Sequence, residues 1–213
     1  MKGKVYLVGA GPGDYKLLTL KGLECIKKAD VIVYDRLANK NYLKEAKENC
    51  EFIYVGKASS NHTLPQDDIN RVIADKAKEG KIVTRLKGGD PYVFGRGGEE
   101  GELLKEEGIE FEVVPGITSA IGGLCYAGIP ITHRDHASSF HVITGHLRED
   151  DKENPEINWN ALANTNGTLV FLMGVANLQK ISSNLIKEGK SKDTPVALIS
   201  WATRYNQRVI TST

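Results

Sequence analysis

Residues 85–100 read RLKGGDPYVFGRGGEE, sixteen positions that hold five glycines and three cations (Arg85, Lys87 and Arg96) directly after the strand-like run at residues 82–86. Packing alone does not demand that composition. Glycine lets backbone approach a ligand closely, and Asp90 before Pro91 sets an extended or turn dipeptide that presents a carboxylate and free backbone groups. Breakers beside charge, where a plain strand-to-helix connection needs neither, read as a loop that binds a polar small molecule.

A second glycine-rich loop, Gly9-Ala10-Gly11-Pro12-Gly13-Asp14, also follows an apolar strand. It departs from the dinucleotide fingerprint, which needs glycine where Asp14 stands. Pro12 removes an N–H from the loop that would cradle a pyrophosphate, and Asp14 sets negative charge beside it. Nicotinamide cofactors are therefore disfavoured. For proton transfer the candidates are Asp35, at a strand end where a carboxylate can meet a substrate N–H, and Lys57, after another strand, since a lysine near other cations can have its pKa lowered toward neutrality. The alternative for both is a surface ion pair.

Net charge is +1, so no global field recruits nucleic acid or an anionic membrane. Placement says more than the sum. Arg36, Lys57, Arg85, Lys87, Arg96, Arg134 and Arg148 lie at or shortly after the C-terminal ends of predicted strands. An α/β protein binds ligands at that edge, so the implied surface suits a polycarboxylate or polyphosphate. Three cysteines, Cys25, Cys50 and Cys125, stand at wide spacing without a C-x-x-C pair, against both a disulfide framework and a structural zinc site. His133, His136, His141 and His146 straddle a loop and a strand rather than one helix face, so no metal is expected.

The elements that must position these residues alternate. Strand-like runs at residues 4–8, 31–34, 52–55, 82–86 and 111–114 are separated by amphipathic stretches, the pattern of a parallel sheet covered by helices. Leu18, Leu20, Leu23 and Ile26 form a helical stripe. A helix over 65–79 begins with Thr63 as cap and Gln66 as its reciprocal partner, and ends at Gly80. A change of domain is expected near Pro115-Gly116, giving an N-terminal α/β domain (1–114) and a C-terminal one (115–213). The latter opens on an apolar helix at 118–127, expected to be buried. Strands are expected at 140–144, 168–173, 195–200 and 208–211, with a helix at 178–187 and an exposed loop at 147–155. The 213 residues, 40% apolar and 26% charged, suffice for a buried core, and no run reaches the length of a membrane span. The expected location is cytoplasmic. The chain stops at or just after a strand-like run, which reads as a piece of a longer polypeptide.

The 85–100 segment resembles the signature of the tetrapyrrole methylases that use S-adenosylmethionine (SAM), and within that family the members acting on uroporphyrinogen III. Residues 5–14 (VYLVGAGPGD), 29–36 (ADVIVYDR), 114–120 (VPGITSA), 128–135 (GIPITHRD) and 168–174 (TLVFLMG) agree with it in the family's order. The resemblance implies two α/β domains, a parallel-rich N-terminal sheet and a mixed C-terminal one, with a SAM cleft between them. It implies SAM contacts from Pro12, Gly88, Gly89, Asp90, Val93, Thr118, Ser119, Met173 and Ala202; Ser119 stands where the family often has Ala, and Ala202 where it has Gly or Ala, both small. Trp201 beside Ala202 is less usual in the family. Asp35 is implied as proton acceptor and Lys57 as proton donor, with Ala58 where arginine is frequent. Arg36, Lys87, Arg96 and Arg134 are the implied substrate contacts. The reaction implied is methylation of two ring carbons of uroporphyrinogen III, giving precorrin-2 and S-adenosylhomocysteine, by a homodimer. Another precorrin C-methyltransferase, or half of a fusion with a second tetrapyrrole activity, would share much of this pattern.

Overall fold

A computed structural model describes residues 3–56, 64–146 and 157–213. Five strands, β1 (Lys4–Gly9), β2 (Val31–Tyr34), β3 (Glu51–Tyr54), β4 (Ile82–Lys87) and β5 (Glu110–Val114), form a sheet in the order β3-β2-β4-β1-β5. Every ladder in it is parallel, as apolar runs separated by helices require. Side-chain alternation divides the core between the two faces. Tyr6, Val8, Ile32 and Leu86 pack with Cys25, Ile26 and Ala29 of the first helical segment and with Tyr42. On the opposite face Val5, Leu7, Val31, Val33 and Val83 pack with Ile69, Ile73, Ala74 and Leu104.

Helix α1 (Leu20–Lys28) is capped by Thr19, whose hydroxyl accepts the Gly22 N–H. Its buried face is Gly22, Cys25 and Ile26, whereas Leu20 is 82% exposed, so the expected leucine stripe is rotated toward the smaller residues. Helix α2 (Gln66–Lys78) follows Pro65 and carries no side-chain cap bond. The Gln66 amide Nε2 donates to Asn70 and, at 3.3 Å, to Glu100. Thr63 lies outside the described residues. Helix α3 (Gly97–Glu106) lies on the α2 side of the sheet and buries Glu100 and Leu104. Helix α4 (Ser119–Tyr126) buries Ala120, Gly122 and Gly123 and leaves Cys125 and Tyr126 exposed, so the expectation that it is buried throughout fails at its C-terminal end.

The chain divides into two compact units, residues 1–122 with 203–205, and residues 123–202 with 206–213. In the second unit β6 (Phe140–Thr144) pairs with β7 (Thr168–Leu172) in parallel, and β8 (Val196–Ser200) with β9 (Arg208–Ser212) antiparallel. Those are the two ladder types of a mixed architecture. Helices α5 (Trp159–Ala163) and α6 (Leu178–Lys187) pack together; Trp159 stacks on Phe171 of β7, and Ile181 is buried. Among the described residues no helix is long and apolar enough to cross a membrane.

Candidate active site

The chain after β1 returns into the sheet at β2, and the chain after β4 leaves in the other direction to β5. The loops that follow β1 and β4 therefore lie side by side at the carboxyl edge, where strand order reverses. A doubly wound sheet opens a crevice there. Gly11 and Gly89 bridge the two loops by paired backbone bonds, Gly89 N–H to Gly11 O at 2.8 Å and Gly11 N–H to Gly89 O at 3.2 Å. A third loop closes in from the end of β5. A Cβ at Gly116 would overlap the Gly89 carbonyl oxygen and lie 2.6 Å from the Cα of Gly9, so only glycine permits this approach. Gly89, at φ +69°, differs: a Cβ there would find its nearest neighbour, the Cα of Thr118, at 3.8 Å, and the backbone faces open space.

Asp90 fastens this junction. Its Oδ1 accepts the Tyr92 N–H at 2.8 Å and its Oδ2 accepts the Gly116 N–H at 2.9 Å, tying the β4 loop to the segment entering α4. Around it the structure gathers several residues expected to bind SAM. Pro12 packs where a Cβ at Gly122 would sit, Thr118 and Ser119 open α4, and Val93 donates its N–H to Asp90 O. Gly88 lies against Leu37, two residues beyond Asp35. Met173 and Ala202 belong to the second unit. Met173 is 59% exposed at φ +60°, and Ala202 is flanked by Trp201 and Thr203, also at positive φ.

Side chains the sequence did not mark hold the β1 loop. The buried Tyr42 hydroxyl sits 3.1 Å from Ala10 O and 3.2 Å from both Asp14 O and Tyr15 O, and burial pushes its pKa up to about 12. Asn39 donates to Gly13 O, and Thr203 Oγ1 accepts the Asp14 N–H at 3.0 Å. Nothing in the spacing of these residues announces the role.

The strand-end charges separate by face. Val83, Arg85 and Lys87 share one side of β4, and Val33 of β2 is in register with Arg85. Arg85 and Lys87 consequently run beneath α3, where Glu100 is 1% exposed. Glu100 Oε1 accepts from Lys87 Nζ at 2.7 Å and Arg85 Nε at 3.1 Å, and Arg85 Nη2 reaches Asp35 Oδ2 at 3.0 Å. Burial first, then the neighbouring Arg85 cation, push the Lys87 amine below the ordinary lysine range. Lys87, expected to face substrate, thus has its amine turned inward to a buried partner. Arg36 and Arg134 are exposed, and Arg96 forks onto Glu99 at 2.8 and 2.5 Å, which holds the Glu99 carboxyl below its usual range. Lys57 and Arg148 lie outside the described residues. His133 and His136 stack in an exposed loop, and among the described residues no three His, Cys, Asp or Glu are gathered as for a metal.

The sequence model of the Tetrapyrrole (Corrin/Porphyrin) Methylases matches residues 4–213. The uroporphyrinogen-III C-methyltransferase of Priestia megaterium is 56% identical over 211 residues, covering 99% of this chain and 88% of that protein. An S-adenosyl-L-methionine-dependent uroporphyrinogen III methyltransferase of Methanosarcina barkeri is also 56% identical, over 99% of this chain and 82% of its own. Among solved structures, the uroporphyrin-III C-methyltransferase of Thermus thermophilus complexed with S-adenosyl homocysteine superposes with a TM-score of 0.82 at 38% identity, over 98% of this chain and 82% of that one.

Proposed function

Since this chain belongs to the tetrapyrrole methylase family, we propose that it methylates uroporphyrinogen III twice, using SAM, to give precorrin-2 for sirohaem and cobalamin synthesis. The observation that carries this reading is the 56% identity to the Priestia megaterium enzyme across 99% of the chain. SAM supplies an electrophilic methyl group on a sulfonium. The protein must then align the electron-rich pyrrole carbon with it and take up one proton for each methyl group transferred.

The residues present fit such a donor. Open space over Gly89, the partly exposed backbone of the β4 loop at residues 88–90, and the Asp90 carboxylate offer the polar and close-approach contacts an adenosyl amino acid needs. Pro12, Gly88, Gly89, Asp90, Val93, Thr118, Ser119, Met173 and Ala202 would hold it. Asp35 is the proton acceptor in this reading and Lys57 the donor. Arg36, Arg96 and Arg134 would meet the acceptor's carboxylates, and Lys87 would support the loop through Glu100. The working form is a homodimer in the cytoplasm, a reading that rests on the family resemblance and is checked by light scattering.

Purified protein incubated with SAM and uroporphyrinogen III should yield a product two methyl groups heavier, with S-adenosylhomocysteine released in matching amount. Transfer to a later precorrin but not to uroporphyrinogen III would replace the substrate assignment and leave the methyl-donor assignment standing.

A further inference from the structure

We infer that Glu100 is a positioning residue for the reaction: through Arg85 it fixes the orientation of Asp35. The inference rests on the reading of Asp35 as proton acceptor and adds a residue to it. Four charges alternate from the protein interior to the strand end. Lys87 and Arg85 both bond Glu100 Oε1, and Arg85 continues to Asp35, with distances of 2.7, 3.1 and 3.0 Å along the way. Side-chain exposure rises along the series, from 0% at Glu100 and 4% at Arg85 to 23% at Asp35. The outermost carboxylate is thus the member of the chain that a substrate can meet.

The geometry leaves Arg85 little freedom. Its Nε is held by Glu100, Nη1 by Leu86 O at 3.2 Å and Nη2 by Asp35, so all three sides of the planar guanidinium are engaged. Asp35 is held from its other oxygen, Oδ1 accepting the Leu37 N–H at 2.9 Å. Its aim is set by one backbone donor and one guanidinium, and the guanidinium's aim is set by Glu100.

A stabilising role explains Glu100 poorly. Buried ion networks are commonly matched or bettered by apolar residues of similar volume. This carboxylate also draws three donors to one oxygen, while Oε2 has no hydrogen-bond partner among the described residues. A charge kept in that setting is explained by what it orients. Lys87 completes the network, which joins two basic and two acidic side chains.

The test uses the full chain with Glu100→Gln and Asp35→Asn, singly and combined, measuring kcat, KM for uroporphyrinogen III, single-turnover methyl transfer and the Kd of S-adenosylhomocysteine. Glu100→Gln should lower kcat roughly tenfold or more, with KM and the S-adenosylhomocysteine Kd held within about twofold. In the Asp35→Asn background the same change should cost no further rate, because the group it orients is already disabled. Unchanged kcat overturns the inference, and so does an equal loss in both backgrounds or a parallel loss of S-adenosylhomocysteine binding. Full activity of Asp35→Asn sinks the acceptor assignment itself and the inference with it. Should Glu100→Gln fail to fold, Arg85→Lys decides: it keeps the cation but cannot span both carboxylates, and the same pattern is expected, with wild-type kcat the overturning result.

Discussion

Replacing Gly116 with Ala tests whether the crowded junction of three loops is the structural basis of the site. The added Cβ falls 2.6 Å from the Cα of Gly9 and against the Gly89 carbonyl oxygen, well inside the 3.5–4.0 Å of a good contact. Both neighbours are backbone at strand ends, so no side chain can rotate aside. Overpacking of this kind costs about 1–3 kcal/mol, and backbone on two sides puts the expectation near about 3 kcal/mol. For a chain of this size that lowers Tm by about 6–12 °C. Gly116 N–H is also the donor to Asp90, so displacement should weaken S-adenosylhomocysteine binding about tenfold. Gly98→Ala is the control: nothing lies within 4 Å of its Cβ, and it sits in the first turn of α3. It should gain about 0.5–1 kcal/mol, leaving ligand affinity unchanged. Both tryptophans, Trp159 and Trp201, belong to the second unit and seven of the eight tyrosines to the first, so tyrosine near-ultraviolet circular dichroism mainly follows the first unit and tryptophan fluorescence the second. The Gly116 loss should register in the tyrosine signal. A Gly116→Ala protein with wild-type melting and wild-type S-adenosylhomocysteine affinity would refute the crowding argument.

Asp90→Ala removes the acceptor for the Tyr92 and Gly116 N–H groups and should weaken S-adenosylhomocysteine binding by about 1–3 kcal/mol in calorimetry; an unchanged Kd contradicts the placement of the donor. Asp35→Asn should lose turnover with S-adenosylhomocysteine affinity intact, and a fully active variant removes the acceptor assignment. Substrate affinity should fall steeply with added salt while S-adenosylhomocysteine affinity falls much less, because Arg36 and Arg134 are exposed whereas the donor loops offer short-range contacts; equal salt dependence would make those arginines bystanders. Asp30 is held below the usual carboxylate range first by the Ile82 N–H at 2.7 Å and then by Lys47. A depressed carboxylate stabilises the fold above its unfolded value near ~3.9 and loses that contribution as pH falls through the folded value. Asp30→Asn should therefore cost about 1–2 kcal/mol at neutral pH, with the gap to wild type closing in urea melts as the pH falls below the unfolded carboxylate value. A gap independent of pH counts against it.

What the sequence made legible was periodicity and punctuation. Residues 140–144 and 178–187 fold as the strand and helix their patterns predict, and the five N-terminal strands lie within a residue or so of the expected bounds. Cys25 is buried at 1% exposure among the apolar positions of α1. Orientation was harder to read. Arg85 and Lys87 look ligand-facing because they end a strand beside glycines, yet their parity with Val83 was available all along. It places them on the face that α2 and α3 cover. Glu100 reads as a surface acid in a Gly-Gly-Glu-Glu run until α3 is docked, and no local pattern announces a helix residue's partner on another strand. Likewise Thr203, 189 residues from Asp14, enters the first unit through a long-range bond that no window of sequence contains.

Backbone strain supplies a second line to the same loops. Among the described residues five non-glycines have positive φ: Phe94, Arg96, Met173, Trp201 and Thr203. Each lies in the segment after a strand, β4, β7 or β8, and none lies within a helix or strand interior. Such conformations cost of order 1–3 kcal/mol apiece and persist only where the surroundings over-determine them. Val93 precedes Phe94, Met173 is itself strained, and Ala202 sits between Trp201 and Thr203. The resemblance assigned Val93, Met173 and Ala202 to the methyl donor from motif matching, with no knowledge of φ. Two signals with different physical origins, a word pattern in the chain and a departure from preferred dihedrals, therefore meet at the same short segments. A fold that needed only stability would relax those turns with glycine, as it does at Gly80, Gly108, Gly128 and Gly189 after helices. Keeping large side chains there argues that their directions matter, and that the strand-end loops were shaped around a ligand.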